Sequence, residues 1–110
     1  MPTAKPDLLH GTLDLLILRA LALSTLHGWA VSKRIQEMSR DVLRVNQGSL
    51  YPALYRLEAR GWITGDEGTS PEGRRIKLYR LTAAGRRQLT QEVAAWRLFS
   101  GAVESVLGTT

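Results

Sequence analysis

Ser49, Tyr51, Pro52, Tyr55 and Arg56 fall within eight positions of one another, on one side of a short helical pattern. The chemistry open to that set is recognition rather than bond-making. Hydroxyls and a guanidinium reach phosphate oxygens and base edges, and a helix is an element that a DNA major groove admits. The residues that would hold them outward are interleaved with them. Leu50, Leu54 and Leu57 recur at i, i+4 and i+7 with Ala53 beside them, forming one apolar stripe. Proline lacks an N–H and is cheap only in the first helical turn. Pro52 therefore favours Ser49 as N-cap and a start between Gln47 and Ser49. Asn46 as cap would leave Pro52 deeper and demand a kink. Gly61 follows Arg60 and suits a left-handed helix end, after which Trp62-Ile63-Thr64 leaves as extended chain.

Other chemistries find little support. The chain has 110 residues and no cysteine, which removes disulfides, thiolate metal sites and cysteine nucleophiles and suits a reducing, cytoplasmic setting. Neither His10 nor His27 has the neighbours of a metal or catalytic centre, and His27 beside Gly28 reads as a cap or packing residue. There is no nucleophile–base constellation, glycine-rich phosphate loop or metal-ligand spacing, so neither an enzyme nor a cofactor is expected. The Leu8–Leu26 run is broken by His10, Asp14 and Arg19, against a membrane span, and Met1–Pro6 does not read as a signal peptide. The formal charge is +5, and its placement says more than its size. Lys33 to Arg87 holds twelve basic and six acidic residues, while the rest is close to neutral. A basic middle is the footprint of a polyanion partner.

The elements that must position this set can be read in order. Residues 1–7 form a flexible arm. Leu8–Leu23 is a helix apolar on more than one face, so its cover should include a partner protomer. Ser24–Gly28 is a turn. Trp29–Ser39 is a second helix, with Val31, Ile35 and Met38 inward and Lys33, Arg34 and Glu37 outward, and Asp41–Val45 is an extended connector. Two helices and a connector leading to a polar aromatic helix form a helix-turn-helix pattern. Ile63–Glu67 and Arg75–Leu81 pair as a hairpin around a turn-rich loop, a wing with Arg74, Arg75 and Lys77 near its tip. Its parity fails at Tyr79 and Leu81, which predicts twist or burial on both faces there. Thr82 caps a last helix from Ala83 toward Leu107. Leu89, Val93, Trp96, Val103 and Leu107 make its stripe, widened by Phe99, Ala102 and Val106, and a dimer interface is the expected cover. The expected architecture is mainly α with a small β-hairpin (α+β). A winged helix-turn-helix over 8–81 precedes a C-terminal dimerisation helix over 82–107 and a tail over 108–110.

Four segments together resemble the PadR family of bacterial transcriptional regulators: Leu9-His10-Gly11-Thr12-Leu13-Asp14-Leu15-Leu16-Ile17-Leu18, Leu26-His27-Gly28-Trp29, Gly48-Ser49-Leu50-Tyr51-Pro52-Ala53-Leu54-Tyr55-Arg56-Leu57-Glu58, and Tyr79-Arg80-Leu81-Thr82-Ala83-Ala84-Gly85. The resemblance covers about residues 8–90. The Ser-Leu-Tyr-Pro-x-Leu-x-x-Leu-Glu run is its most specific part, and Trp29 stands where a tyrosine is common. With one helix after the wing, the chain resembles the short branch of the family. The resemblance implies a homodimeric repressor on a double-stranded, palindromic operator, released by a small molecule. Carried over by position, Ser49, Tyr51, Pro52 and Arg56 would face DNA, and Arg74, Arg75 and Lys77 would be wing contacts. Tyr55 joins them from helical phase alone. Trp96 and Phe99 could line a pocket for a planar aromatic effector. The competing expectation is a winged-helix module that binds RNA or a protein partner without sensing an effector.

Overall fold

A computed structural model describes the backbone of residues 6–108 and the side chains of residues 11–108. Residues 1–5 of the expected arm, the side chains of Leu9 and His10, and Thr109-Thr110 of the expected tail lie outside the described residues. The element order is α1 (Pro6–Leu23), β1 (Leu26–His27), α2 (Gly28–Met38), α3 (Gln47–Ala59), β2 (Ile63–Thr69), β3 (Arg75–Leu81) and α4 (Ala83–Leu107). Helix α1 thus takes in Pro6 and Asp7, which the sequence reading assigned to the arm.

The core is the intersection of the stripes foreseen from spacing. Leu13, Ile17, Leu18 and Leu21 of α1 pack with Val31 and Ile35 of α2, Leu50, Ala53, Leu54 and Leu57 of α3, and Ile63, Tyr79, Leu81 and Leu89 beyond. Helix α1 touches α2, α3, α4 and β3, which cover much of its apolar surface within one chain. Met38 does not turn inward as the helical pattern implied. It is half exposed at the last turn of α2, where the chain has begun to leave the core.

The expected Ser24–Gly28 turn contains a short strand. Leu26 and His27 pair antiparallel with Tyr79 and Leu78, so the sheet has three strands in the order β1-β3-β2 rather than a lone hairpin. Two residues carry no readable alternation, and only the β3 edge supplies their partners. Strands β2 and β3 pair from Ile63↔Leu81 to Thr69↔Arg75, longer than the Ile63–Glu67 expectation. Along β3, Ile76 and Leu78 are partly covered on one face while Tyr79 and Leu81 are buried on the other. This is the parity change seen in the sequence.

The connector between α2 and α3 is a built turn rather than extended chain. Arg40 and Asp41 adopt positive φ values of 53° and 72°. The Asp41 carboxylate accepts from Gln36 Nε2 at 2.5 Å and Arg44 Nη2 at 2.8 Å. Those contacts, Gln36 first, hold its pKa below the ordinary value. They fix the entry into α3, whose N-cap is Asn46 and not Ser49. The Asn46 side chain accepts from the Ser49 N–H at 2.9 Å. Pro52 therefore lies inside the helix, which runs unbroken through it. Its missing N–H would have met the Gly48 carbonyl, and both residues are exposed, so solvent can serve that oxygen. Asn46→Ala should lower stability by about 1 kcal/mol, read as a shift of the urea midpoint, whereas Ser49→Ala should leave the midpoint nearly unchanged.

Candidate nucleic-acid interface

Burying Leu50, Ala53, Leu54 and Leu57 forces the opposite face of α3 outward. Tyr55 is 77% exposed there, Tyr51 is 43% exposed, and Pro52 is exposed between them. Ser49 is half-buried at the third helical position, its N–H already taken by the Asn46 cap. Tyr51, Pro52 and Tyr55 form the exposed face, and Tyr51 borders the wing residues Arg75 and Lys77. Arg56 stands apart from the two tyrosines, on the same flank of α3 as Ser49. There its Nη2 donates to Asp14 Oδ1 of α1 at 2.7 Å, with both side chains partly buried. A charge-assisted bond of that length fixes the guanidinium against α1. Arg56 is therefore no free outward base, and at most its remaining N–H groups are open to DNA.

The wing cations are placed differently from one another. Arg74 lies in the loop joining β2 to β3, exposed, its backbone N–H donating to Ser70 Oγ at 3.1 Å. Arg75 stands at the end of β3 opposite Thr69, almost fully exposed, with Glu67 at 3.7 Å. Lys77 is not at the tip. It faces Glu67 in mid-strand, donates to Glu58 Oε1 of α3 at 3.0 Å, and lies 5.6 Å from the centre of the Tyr79 ring. The Glu58 hydrogen bond raises the Lys77 pKa, so the ammonium stays charged at any physiological pH. Lys77 ties the wing to α3, and burial raises the Tyr79 phenol beneath it.

Between the start of α2, α3 and β3 lies a notch of about 340 Å³ bordered by His27, Trp29, Tyr51, Arg75, Lys77 and Tyr79. Tyr51 reaches it by lying against Gly28, where any Cβ would come within 2.8 Å of the Tyr51 ring. A second cleft of about 290 Å³ lies where α1 meets α4. Gly11, Thr12 and Leu15 form one wall, and Glu92, Trp96 and Phe99 the other. The Trp96 and Phe99 rings are 6.2 Å apart and tilted. Sequence reasoning missed Asp14, Glu58 and the β1 edge as organisers of this surface. Asp14 was legible only as an acid inside an apolar run, and no spacing could announce its partner forty-two residues away.

No group of three or more potential metal ligands exists among the described residues, and no helix is long and apolar enough to cross a membrane. The profile of the "Transcriptional regulator PadR-like family" matches residues 17–91, from mid-α1 into α4. A transcriptional regulator of Mycobacterium tuberculosis is 46% identical over 57 residues, about half of each chain. A transcriptional regulator from Clostridium thermocellum superposes with a TM-score of 0.82 at 27% identity, over 90% of this chain and 96% of that one. A PadR-like transcriptional regulator from Bacillus cereus superposes with a TM-score of 0.80 at 27% identity, over 94% and 99% of the two chains. The three-stranded sheet, the exposed tyrosine face of α3 and these matches agree, and the chain belongs to the PadR-like family of DNA-binding transcriptional regulators.

Proposed function

We propose that the protein is a cytoplasmic, homodimeric repressor that lays α3 of each protomer in a major groove and grips the flanking backbone with its wing. The observation that carries this reading is the exposed face of Tyr51, Pro52 and Tyr55, whose Tyr51 borders one notch with the exposed wing cation Arg75. Ser49 and the free edge of Arg56 extend it along α3, and Lys77 sets the angle of the wing. Dimerisation is supported by α4. Its outer half carries Trp96, Leu98, Phe99, Val103, Val106 and Leu107 at 38–79% exposure. Such a run of uncovered apolar side chains is a docking surface for a second copy. Twofold pairing then requires half-sites about 34 Å apart, one helical turn, or a multiple of it.

The α1–α4 cleft supports the effector part of the proposal. Trp96 and Phe99 form its aromatic wall, so a planar aromatic molecule entering there would bear on α1 and, through Asp14, on Arg56. Footprinting upstream of the protein's own gene, with and without a panel of planar aromatic compounds, tests the whole reading. A protected palindrome that clears on adding a compound is expected, and Trp96→Ala, in a variant that sedimentation shows to stay dimeric, should abolish the clearing but not the protection. Arg56→Ala should relax base preference at one position per half-site, by about 1–3 kcal/mol if the guanidinium reads a base. Equal loss on operator and random duplex would make Arg56 a purely structural residue. Tighter binding to RNA than to duplex at matched salt would replace the operator reading by an RNA-binding one.

A further inference from the structure

One wall of the notch beside Tyr51 is built by His27 and Trp29, to which the reading above gives no task. His27 precedes α2 but makes no side-chain cap bond. Its ring lies nearly parallel to the Trp29 indole instead, at 7° with 6.5 Å between centres. One turn along α2, the Lys33 ammonium sits 5.2 Å from the Trp29 ring centre. Trp29 is nevertheless 49% exposed. An indole fixed by an imidazole and an ammonium, yet left half in solvent, is a platform held ready for a flat or apolar partner.

The opposite wall is made by Tyr51, Arg75 and Lys77, and no carboxylate lines the notch. The nearest acids are engaged from outside it: Glu58 holds Lys77, and Glu67 stands 3.7 Å from Arg75. The Arg75–Glu67 pair is 88% and 74% exposed, so solvent screening leaves it weak and a stronger anion can displace it. Guanidinium and phenol across from an exposed indole match one repeating unit of a nucleic-acid backbone, an anionic phosphate joined to an apolar sugar face.

We propose that this notch seats one backbone phosphate of the operator duplex, bound by Arg75 and the Tyr51 hydroxyl, with the adjoining deoxyribose against Trp29. The proposal rests on the DNA-binding reading and adds α2 to it. Each half-site then has a phosphate anchor beside the first turns of α3, fixing the register in which Tyr51 and Tyr55 meet the groove. Lys33 adds charge at the outer edge of the platform, and His27 holds the indole flat.

Neutral methylphosphonate linkages introduced one at a time along the footprinted duplex test the seat. The natural chain should lose about tenfold in affinity at one linkage per half-site, the worth of one hydrogen-bonded charge contact. The same linkage should cost Arg75→Gln less than about twofold, because its charged contact is already gone. Trp29→Ala keeps both phosphate ligands, so it should retain the penalty and bind the natural duplex more weakly. Both side chains are substantially exposed, so the variants should keep the parent's melting temperature. Acrylamide quenching gives a second readout. Duplex should shield a fluorescent component of the natural chain that Trp29→Tyr lacks. Sequence-specific binding with the linkage penalty unchanged in Arg75→Gln, or with no shielded component, overturns the notch and leaves the regulator reading intact. Failure to bind duplex at all overturns both.

Discussion

Between about 50 and about 200 mM salt, affinity for the operator should fall by about 10³–10⁵-fold, the loss expected when six to ten phosphates are neutralised. A twofold dimer would present Arg74, Arg75 and Lys33 twice, all exposed. Three such cations per protomer, one of them the notch's Arg75, bring the pair to the lower end of the stated range. The slope should depend on pairing. Val103→Glu places a charge on the uncovered face of α4, beside neighbours that are themselves exposed in one chain. It costs the single chain little, but in the dimer it would bury an unpaired carboxylate. Sedimentation should show a monomer, and fluorescence anisotropy should show about half the slope of log affinity against log salt. An unchanged slope in a monomeric variant would mean that one protomer makes every phosphate contact, and the twofold account would fall.

Gly85→Ala is expected to cost about 3 kcal/mol or more, the upper part of the range for overpacking, and to shift the denaturation midpoint accordingly. Gly85 is buried in the first turn of α4, and a methyl there would overlap the Trp62 carbonyl oxygen and lie 2.7 Å from Leu81 Cδ1. Neither neighbour can give way easily. The Trp62 carbonyl accepts from the Thr82 N–H at 3.1 Å, Thr82 Oγ1 donates to the Gly61 carbonyl at 2.7 Å, and the same oxygen accepts from the Gly85 N–H at 3.0 Å. Moving α4 away to admit the methyl breaks that cap and opens the Leu81–Leu89 end of the core. Gly61→Ala is the contrasting case. Open space surrounds its missing Cβ, and only its φ of 78° is at stake, so about 1–2 kcal/mol is expected. Equal midpoints for the two variants would show that α4 has freedom to retreat from the sheet.

Much of the frame was legible because it rests on periodicity. The Leu50–Leu54–Leu57 ridge is fully buried, and α4 begins and ends at the residues its cap and stripe implied. Local reasoning failed where two local rules competed. The cost of an interior proline argued for Ser49 as cap, yet the Asn46 amide oxygen captures the Ser49 N–H, and the prolyl gap opens onto solvent. The strand at Leu26-His27 left no trace because two residues have no period, and the cover that α2, α3, α4 and β3 give α1 cannot be counted along a chain.

The sequence by itself determined which faces are apolar, where helices and wing begin and end to within a few residues, and which side of α3 carries tyrosines. Each of these follows from spacing, capping and backbone sterics within a dozen residues. Only the tertiary structure decided how the polar residues divide their work. Arg56 is claimed by Asp14, Lys77 by Glu58, and Tyr51 gains its place because Gly28 lets it approach. Ion pairs and close contacts depend on distance in space, and partners nineteen to forty-two residues apart leave no mark of that distance in the sequence.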